Sequence, residues 1–278
     1  MEFFKKILTF FICVMISSCS MYWENLTNNT SSVNRRASSI TDFSVQEDFG
    51  NEYTILLVSD VHFDNKYTKP TAMLEKVENL EEKPVACFVL GDLTRNSTSG
   101  EFDSYLEFCE DLKNAGIKTV YAIPGNHDAD DGGDLFLQKT FPHKSYYRLI
   151  SNKTSFYFLD SAEGSHGNEQ IENLSQIIKS DSRKKFVFSH YPLYVPDSLT
   201  DKLNKTTERA YLISLFAKNG VSYYFCGHTH EWYSYDFGKF KEEVVGDLRW
   251  SGAWALLKIN ETSSDVQYAK YNDKTEER

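Results

Sequence analysis

The chain has 278 residues, of which 41% are hydrophobic and 25% are charged, as in an ordinary soluble globular protein. Its formal net charge of −10 would repel nucleic-acid phosphates, which argues against sequence-independent binding to a nucleic-acid scaffold. A phosphorylated small molecule is not excluded as a partner, because bound metal ions would reverse the sign of the charge locally.

The N-terminus has the pattern of a secretory signal. Lys5 and Lys6 precede an apolar stretch from Ile7 to Ile16, which is too short to cross a bilayer, since that takes about 20 residues. The sequence Ile16-Ser17-Ser18-Cys19 resembles a bacterial lipobox, which implies cleavage before Cys19 and lipid attachment to its thiol. Residues 1–18 are therefore predicted to be a signal peptide, and the protein to be extracytoplasmic and lipid-anchored to a bacterial membrane. An ordinary cleaved signal and an uncleaved helical anchor are the alternatives.

The chain after Cys19 divides into a linker and one domain. Residues 20–50 are rich in serine, asparagine and threonine without an apolar period, so residues 19–50 are predicted to be a flexible tether. Residues 51–278 show no internal repeat and are predicted to form a single domain. The cysteines of this domain are Cys87, Cys109 and Cys226, and buried free thiols are a better interpretation of them than a disulfide framework.

Strand and helix patterns alternate along the domain. Strands are predicted at Ile55–Ser59, Val85–Leu90, Lys118–Ile123, Ser155–Asp160 and Phe186–Ser189. Helices are predicted at Thr71–Glu82, Glu101–Ala115, Ile171–Ile178 and Glu208–Lys218. Further on, Tyr233–Phe240 and Trp250–Ile259 alternate and are rich in aromatic residues, which predicts antiparallel strands. This order is typical of an α/β fold with layers around one core.

Five apolar runs end directly in side chains that bind metals. Val85–Leu90 stops at Gly91-Asp92, and a short continuous apolar run is typical of a buried strand. Ligands of open α/β sheets bind at the carboxyl ends of the strands, so Asp92 is expected to face one. The other runs end at Asp60 and His62, at Asn126, His127 and Asp128, at His190, and at His228 and His230. A lone histidine at a strand end is more often structural, but these blocks contain five of the seven histidines.

These residue types favour a metal centre. Aspartate, histidine and asparagine are ligands of first-row divalent ions. Side chains two residues apart on an extended chain point the same way, so Asp60 and His62 are predicted to converge, and likewise His228 and His230. Asp92 can bridge two ions through its two oxygens. A set of about eight donors is too large for one tetrahedral zinc and suits two ions roughly 3.5–4 Å apart, as in phosphoester hydrolases.

The blocks also carry a family resemblance. Asp-x-His, Gly-Asp, Gly-Asn-His-Asp, a lone His and Gly-His-x-His follow one another between residue 53 and about 235. In this order they resemble the calcineurin-like metallophosphoesterase superfamily, and the local sequence is closest to its class III cyclic-nucleotide phosphodiesterases. The resemblance implies a four-layer α/β/β/α sandwich and a hydrolase for phosphomonoesters or phosphodiesters of small molecules.

The resemblance also implies roles for the ligands. One ion would be held by Asp60, His62 and His230, the other by Asn126, His190 and His228, with Asp92 bridging them. The two ions, Fe, Mn or Zn, would lower the pKa of a bridging water, whose hydroxide attacks phosphorus. His127 would act as the general acid that protonates the leaving group.

One departure from the superfamily affects His127. Arg95 stands three residues after Asp92, where phosphoprotein phosphatases have an aspartate that orients this histidine and purple acid phosphatases have a tyrosine ligand. Both of those activities are therefore disfavoured, and the partner of His127 stays open. Arg95 either holds a substrate phosphate or lies in a solvated loop. Asp128 either orients His127 or caps a turn.

Several residues outside the ligand set have weaker assignments. His143 and His166 are expected on the surface or at the rim of the site. Asp64 either lies in a turn, which is the favoured interpretation, or lines the pocket. Trp232, Tyr233 and Tyr235 are expected to pack on an edge strand rather than to stack on a substrate base. The alternative function for the whole chain is a non-catalytic surface-binding lipoprotein that retains the fold.

Overall fold

Two β-sheets and the helices outside them account for the described part of the chain. The structure is a computed structural model that describes residues 30–38, 44–130, 133–140, 144–198, 200–263 and 266–273. The helices are α1 (Thr30–Ser38), α2 (Thr71–Glu78), α3 (Ser99–Asn114), α4 (Asp134–Lys139), α5 (Asn168–Ser180) and α6 (Thr206–Lys218). The strands are β1 (Ser44–Glu47), β2 (Glu52–Val58), β3 (Ala86–Val89), β4 (Thr119–Ala122), β5 (Tyr147–Ser151), β6 (Thr154–Phe158), β7 (Lys184–Phe188), β8 (Val221–Cys226), β9 (Tyr233–Asp236), β10 (Lys241–Val244), β11 (Ala253–Asn260) and β12 (Val266–Asn272).

Both sheets contain parallel and antiparallel strand pairs. One has seven strands in the order β1-β5-β6-β7-β8-β10-β9, and the other has five in the order β12-β11-β2-β3-β4. Strands β2, β3 and β4 are parallel, as are β6, β7 and β8. These strands contain the continuous apolar runs of the sequence, because a strand of a parallel sheet is usually covered on both faces.

Three apolar clusters define four layers. Between the sheets lies an aromatic core, in which the Phe188 ring stacks on Phe158 and Phe225 with centroids 5.1 and 5.4 Å apart. The other face of the five-stranded sheet packs against α2 and α3, and that of the seven-stranded sheet against α5 and α6. The result is an α/β/β/α sandwich, which confirms the predicted fold.

The helix boundaries follow local capping. Helix α3 begins after Thr98, whose hydroxyl accepts from Glu101 N while the Glu101 carboxylate accepts from Thr98 N, a capping box. Helix α2 ends at Glu78, four residues before the predicted end at Glu82. The Lys83 ammonium donates to the Val77, Glu78 and Leu80 carbonyls and so caps the shortened helix.

The late strands differ from the predicted ones. β9 ends at Asp236 rather than Phe240, and β11 begins at Ala253, so residues 250–252 lie in a loop. Strands β1, β5, β10 and β12 were not predicted. Helix α4 was not predicted either.

Part of the predicted tether is folded. Residues 30–38 form α1, which packs against α5, and β1 pairs in parallel with β5, placing Ser44 opposite Arg148. The folded part of the chain therefore starts before residue 51, contrary to the prediction. The predicted signal peptide and Cys19 lie outside the described residues. Within the described ranges, no helix has the length and apolar character needed to cross a membrane.

Arg36 explains why α1 is part of the domain. Its side chain is only 1% exposed, and its Nε and Nη2 donate to the two carboxylate oxygens of Asp160 at 2.7 and 3.0 Å. Asp160 is itself fully buried. A buried, bidentate ion pair between α1 and the loop after β6 replaces the flexible connection that the polar composition suggested.

We expect Arg36→Ala to lower the free energy of unfolding by about 3–5 kcal/mol, because it leaves a buried carboxylate without its partner. Urea unfolding followed by circular dichroism measures this change. Arg35→Ala is the matched control, since Arg35 lies 3.6 Å from the exposed carboxylate of Asp134 and such pairs contribute about 0–1 kcal/mol. Equal, small effects of both substitutions would show that α1 does not unfold together with the domain.

Candidate metal centre

The candidate ligands lie in loops that follow five parallel strands. Asp60 and His62 follow β2, Asp92 follows β3, and Asn126 opens a single 3₁₀ turn, Asn126–Asp128, after β4. His190 follows β7, and His228 and His230 follow β8. Parallel strands end at the same edge of their sheet, and the sandwich brings the two edges together.

Seven side chains converge there in two adjoining groups. In the first, the donor atoms of Asp60, His62, Asp92 and His230 all lie within 4.8 Å of one another, and His62 Nε2 is 3.2 Å from His230 Nε2. In the second, the donor atoms of Asp92, His190 and His228 lie within the same limit. Asn126 Oδ1 completes the second group, at 3.1 Å from His190 Nε2 and 3.1 Å from His228 Nδ1. Asp92 belongs to both groups.

The donor atoms do not all satisfy one another by hydrogen bonds, and their chemistry suits a bound cation. Asp60 Oδ1 is buried and accepts no hydrogen bond from the described residues, although His230 Nε2 is 3.4 Å away. An unsatisfied buried acceptor of this kind costs about 1–3 kcal/mol or more. Imidazole nitrogens, carboxylate oxygens and an amide oxygen suit first-row divalent ions, so a cation in the first group would satisfy Asp60.

The backbone reaches this arrangement differently from the prediction. Both predicted pairs were expected on extended chain, but Asp60 and His62 have φ of 52° and 40°, and His228 and His230 have 72° and 61°. Asp92 is also left-handed, at 52°. Such conformations cost of order 1–3 kcal/mol each in a residue with a side chain. Because of these bends, His228 and His230 face different groups instead of the same one.

Two glycines of the ligand motifs allow the loops to approach. A Cβ at Gly125 would lie 2.1 Å from Asp92 Oδ1, and a Cβ at Gly227 would lie 1.8 Å from Ser59 Oγ. Both distances are far below van der Waals contact, so a side chain at either position would displace the loop that carries Asp92 or Asp60.

Hydrogen bonds orient the ligands. Ser59 Oγ and His228 N donate to Asp60 Oδ2 at 2.5 and 3.0 Å, which leaves Oδ1 for the first group. His190 Nδ1 lies 2.8 Å from the Leu90 carbonyl, so Nδ1 carries a hydrogen and Nε2 is left as the ligand atom.

The two histidines of the second group have pKa values shifted in opposite directions. Burial lowers the pKa of His190, but the carboxylates of Asp92 and Asp60 outweigh it and raise this pKa to about 9. Burial together with the neighbouring His190 lowers the pKa of His228 to about 4. A cation that binds His190 Nε2 at neutral pH must therefore displace a proton, whereas His228 is already neutral.

His127 is oriented by a backbone group that the sequence did not reveal. Its Nδ1 lies 2.7 Å from the Arg95 carbonyl oxygen and its backbone N–H donates to Asp92 Oδ1 at 3.0 Å. Position 95 thus supplies the orienting partner through its main chain. The Arg95 side chain is 59% exposed and lies 3.5 Å from Asp64, which Arg249 also contacts. Asp64 was expected in a turn, and its carboxylate joins Arg95 to Arg249 beside the site.

Asp128 caps a turn rather than orienting His127. Its carboxylate accepts from the backbone N–H groups of Gly125, Leu93 and Thr94 at 2.9–3.0 Å, which ties the Asn126 loop to the Asp92 loop. Burial and the nearby Asp92 raise its pKa to about 7.

His166 is fully buried, so its expected place at the surface or rim is wrong. Its Nδ1 is 3.0 Å from Glu208 Oε1 and its Nε2 is 3.1 Å from Ser189 Oγ. Ser189 Oγ donates to Ser161 Oγ, which also accepts from His190 N. The network supports the His190 loop, and no local pattern marks it, because the partners of His166 are 42 and 23 residues away. His143 lies outside the described residues.

The remaining assignments concern aromatic residues and thiols. The ring centroids of Tyr191 and His228 are 3.9 Å apart, so Tyr191 forms part of the wall beside the second group. Cys87, Cys109 and Cys226 are free thiols, and Cys87 and Cys226 are buried as predicted.

Known proteins resemble this chain in sequence and in structure. A relative from Fibrobacter succinogenes, named a probable cyclic nucleotide phosphodiesterase, is 32% identical over 105 residues. That match covers 37% of this chain and only 40% of the relative. A dimetal phosphatase from Danio rerio superposes with a TM-score of 0.53 at 13% identity, over 80% of this chain and 99% of that one.

GAP50, described as the anchor in the inner membrane complex of Plasmodium, superposes with a TM-score of 0.59 at 12% identity, over 82% and 91% of the two chains. At these identities the structural likenesses show the fold alone. The model of the calcineurin-like phosphoesterase family matches residues 53–232, more than half of the sequence. The chain therefore belongs to the calcineurin-like phosphoesterase family.

Proposed function

We propose that this phosphoesterase uses two divalent metal ions to hydrolyse phosphomonoesters or phosphodiesters of small molecules. The observation that supports it most is that two groups of buried donors share Asp92. A carboxylate common to two adjoining groups suits a pair of ions better than a single one.

Each ligand has a proposed place. Asp60, His62 and His230 would hold one ion, Asn126, His190 and His228 the other, and Asp92 both. Bound divalent ions would make water a nucleophile at neutral pH and neutralise charge on the phosphoryl oxygens. Fe, Mn and Zn all suit this donor set.

His127 is proposed as the general acid. With Nδ1 donating to the Arg95 carbonyl, Nε2 is the atom that would pass a proton to the leaving-group oxygen. Asp92 Oδ1 accepts from the His127 backbone N–H, so the shared ligand also positions the acid.

Removal and return of metal tests the proposal. Treatment with a chelator should abolish hydrolysis of p-nitrophenyl phosphate or bis-p-nitrophenyl phosphate, and reloading with Fe, Mn or Zn should restore it. Plasma mass spectrometry should then find two ions per chain. A folded protein that hydrolyses neither ester with any of the three metals would contradict the proposal and favour the non-catalytic binding lipoprotein.

Two finer points belong to the same proposal. The name of the Fibrobacter succinogenes relative supports a phosphodiester as the substrate. Lipid anchoring outside the cytoplasm is supported by the sequence of residues 1–19 alone, and labelling with radioactive palmitate that persisted in Cys19→Ala would contradict it.

A further inference from the structure

Trp250 is an exposed indole beside the candidate metal centre. It is 54% exposed, more than any other large apolar side chain in the described ranges. Its ring lies 5.1 Å from the ring of His62 and 5.1 Å from that of His230, measured between centroids. Folding leaves apolar surface in water at this point, next to two proposed ligands of the first group.

The loop that carries Trp250 is held in place. Asp247 is buried, and its Oδ1 accepts from the backbone N–H groups of Trp250 and Ser251. Leu248 N donates to the Ser59 carbonyl at 3.0 Å, which joins the loop to the segment of Asp60. The indole is therefore presented by a backbone that needs no ordering when a ligand binds.

The neighbours of Trp250 place it on the side of the proposed acid. Arg249 and Arg95 both contact the carboxylate of Asp64. The carbonyl of the same Arg95 accepts from the His127 ring. A continuous series of contacts thus runs from the Trp250 loop to His127, and the leaving group of a bound phosphoester would lie along this side.

A purely supporting role must be distinguished from contact with substrate. Nδ1 of His62 is buried and has no hydrogen-bond partner among the described residues, and the His62 ring lies between those of Trp250 and His127. If Trp250 served only to hold His62, its removal would weaken metal retention and affect every phosphate ligand equally.

We propose that Trp250 determines specificity by stacking on a planar aromatic ring in the organic part of the phosphoester. The ring is either a nucleobase or a simple aryl group, since both present the same flat π-surface to an indole. This inference rests on the proposed function, because the phosphate of the same ligand must bind at the metal centre.

The test is equilibrium binding of three phosphate esters, each as its hydrolysis-resistant phosphonate analogue, to the zinc-loaded, full-length protein, measured by isothermal titration calorimetry. AMP carries a base, phenyl phosphate carries an aryl ring, and ribose 5-phosphate has no aromatic ring. In Trp250→Ala, AMP should bind about 5- to 150-fold more weakly, the range given by stacking on aromatic side chains, and ribose 5-phosphate should be unaffected.

Two variants keep the result interpretable. Trp250→Phe retains a π-face and should keep most of the preference for AMP over ribose 5-phosphate. Tyr211→Ala removes an aromatic ring that is 44% exposed on α6, outside the centre, and should change nothing. The zinc content of each variant is measured alongside.

The outcomes separate the two hypotheses. Loss of affinity for both AMP and phenyl phosphate supports recognition of any flat ring, and loss for AMP alone supports a nucleobase. If Trp250→Ala binds all three esters equally more weakly, or keeps the wild-type preference for AMP over ribose 5-phosphate, the role of Trp250 is overturned. Neither result counts against the proposed phosphoesterase activity. Failure of the wild type to bind any of the three overturns this inference and counts against the proposed function as well.

Discussion

Asp92→Asn should abolish most of the phosphoesterase activity and release bound metal. The Asp92 carboxylate is buried, with Oδ2 at 3.5 Å from His62 Nε2 and 3.4 Å from His190 Nε2. The amide keeps the shape of the side chain but removes the charge that both ions would share. We expect kcat/KM to fall by more than about 100-fold, beyond the 10- to 100-fold loss typical of residues that merely orient a ligand.

Metal analysis and kinetics should be measured on the same Asp92→Asn sample, with bis-p-nitrophenyl phosphate as substrate. Asp103→Asn is the control, because Asp103 is an exposed carboxylate on α3 that pairs with Lys139. This control should keep two ions per chain and full activity. An Asp92→Asn protein that retained two ions and turned over at the wild-type rate would exclude the shared-ligand arrangement.

His127→Asn should slow the reaction by an amount that depends on the leaving group. A general acid typically contributes about 10²- to 10⁴-fold, and the full contribution is needed only when the departing oxygen is strongly basic. Benzyl phosphate releases a basic alkoxide, whereas p-nitrophenyl phosphate releases a stabilised phenolate. We therefore expect a large loss of kcat for the benzyl ester and a much smaller one for the nitrophenyl ester.

Both esters carry an aromatic ring, so stacking on Trp250 does not distort the comparison. The metal content of His127→Asn should equal that of the wild type, since His127 is not among the proposed ligands. Equal slowing of the two esters would mean that His127 stabilises the phosphoryl group rather than protonating the leaving group.

The proposed metal binding would also account for the strained backbone of the ligand loops. Five of the proposed ligands have positive φ, and Asp60 has a buried oxygen that accepts no hydrogen bond from the part of the chain that the structure describes. Local strain of this kind persists where the surrounding structure imposes it, commonly at functional sites. Bound cations would stabilise the loops in the conformation that the glycines at 125 and 227 permit.

The central strands and the proposed ligands could be predicted from the sequence because their signals are local. A strand covered on both faces is a continuous apolar run, and each ligand follows its own strand within a few residues, as Asp92 follows β3. Short edge strands carry no such signal. β1, for example, is a strand because it pairs with β5, about 100 residues further along the chain.

Residue types and their order along the chain determined the α/β fold, the candidate ligands and the family. Tertiary structure alone decided which groups support the site and the domain. Arg95 orients His127 through its carbonyl, His166 supports the His190 loop through a buried network, and Arg36 joins α1 to the domain through an ion pair with Asp160. It also placed Trp250, expected in a strand, in a loop against His62. The physical reason is that hydrogen bonds and ring contacts depend on distances in space, which two packed sheets impose on residues far apart in sequence.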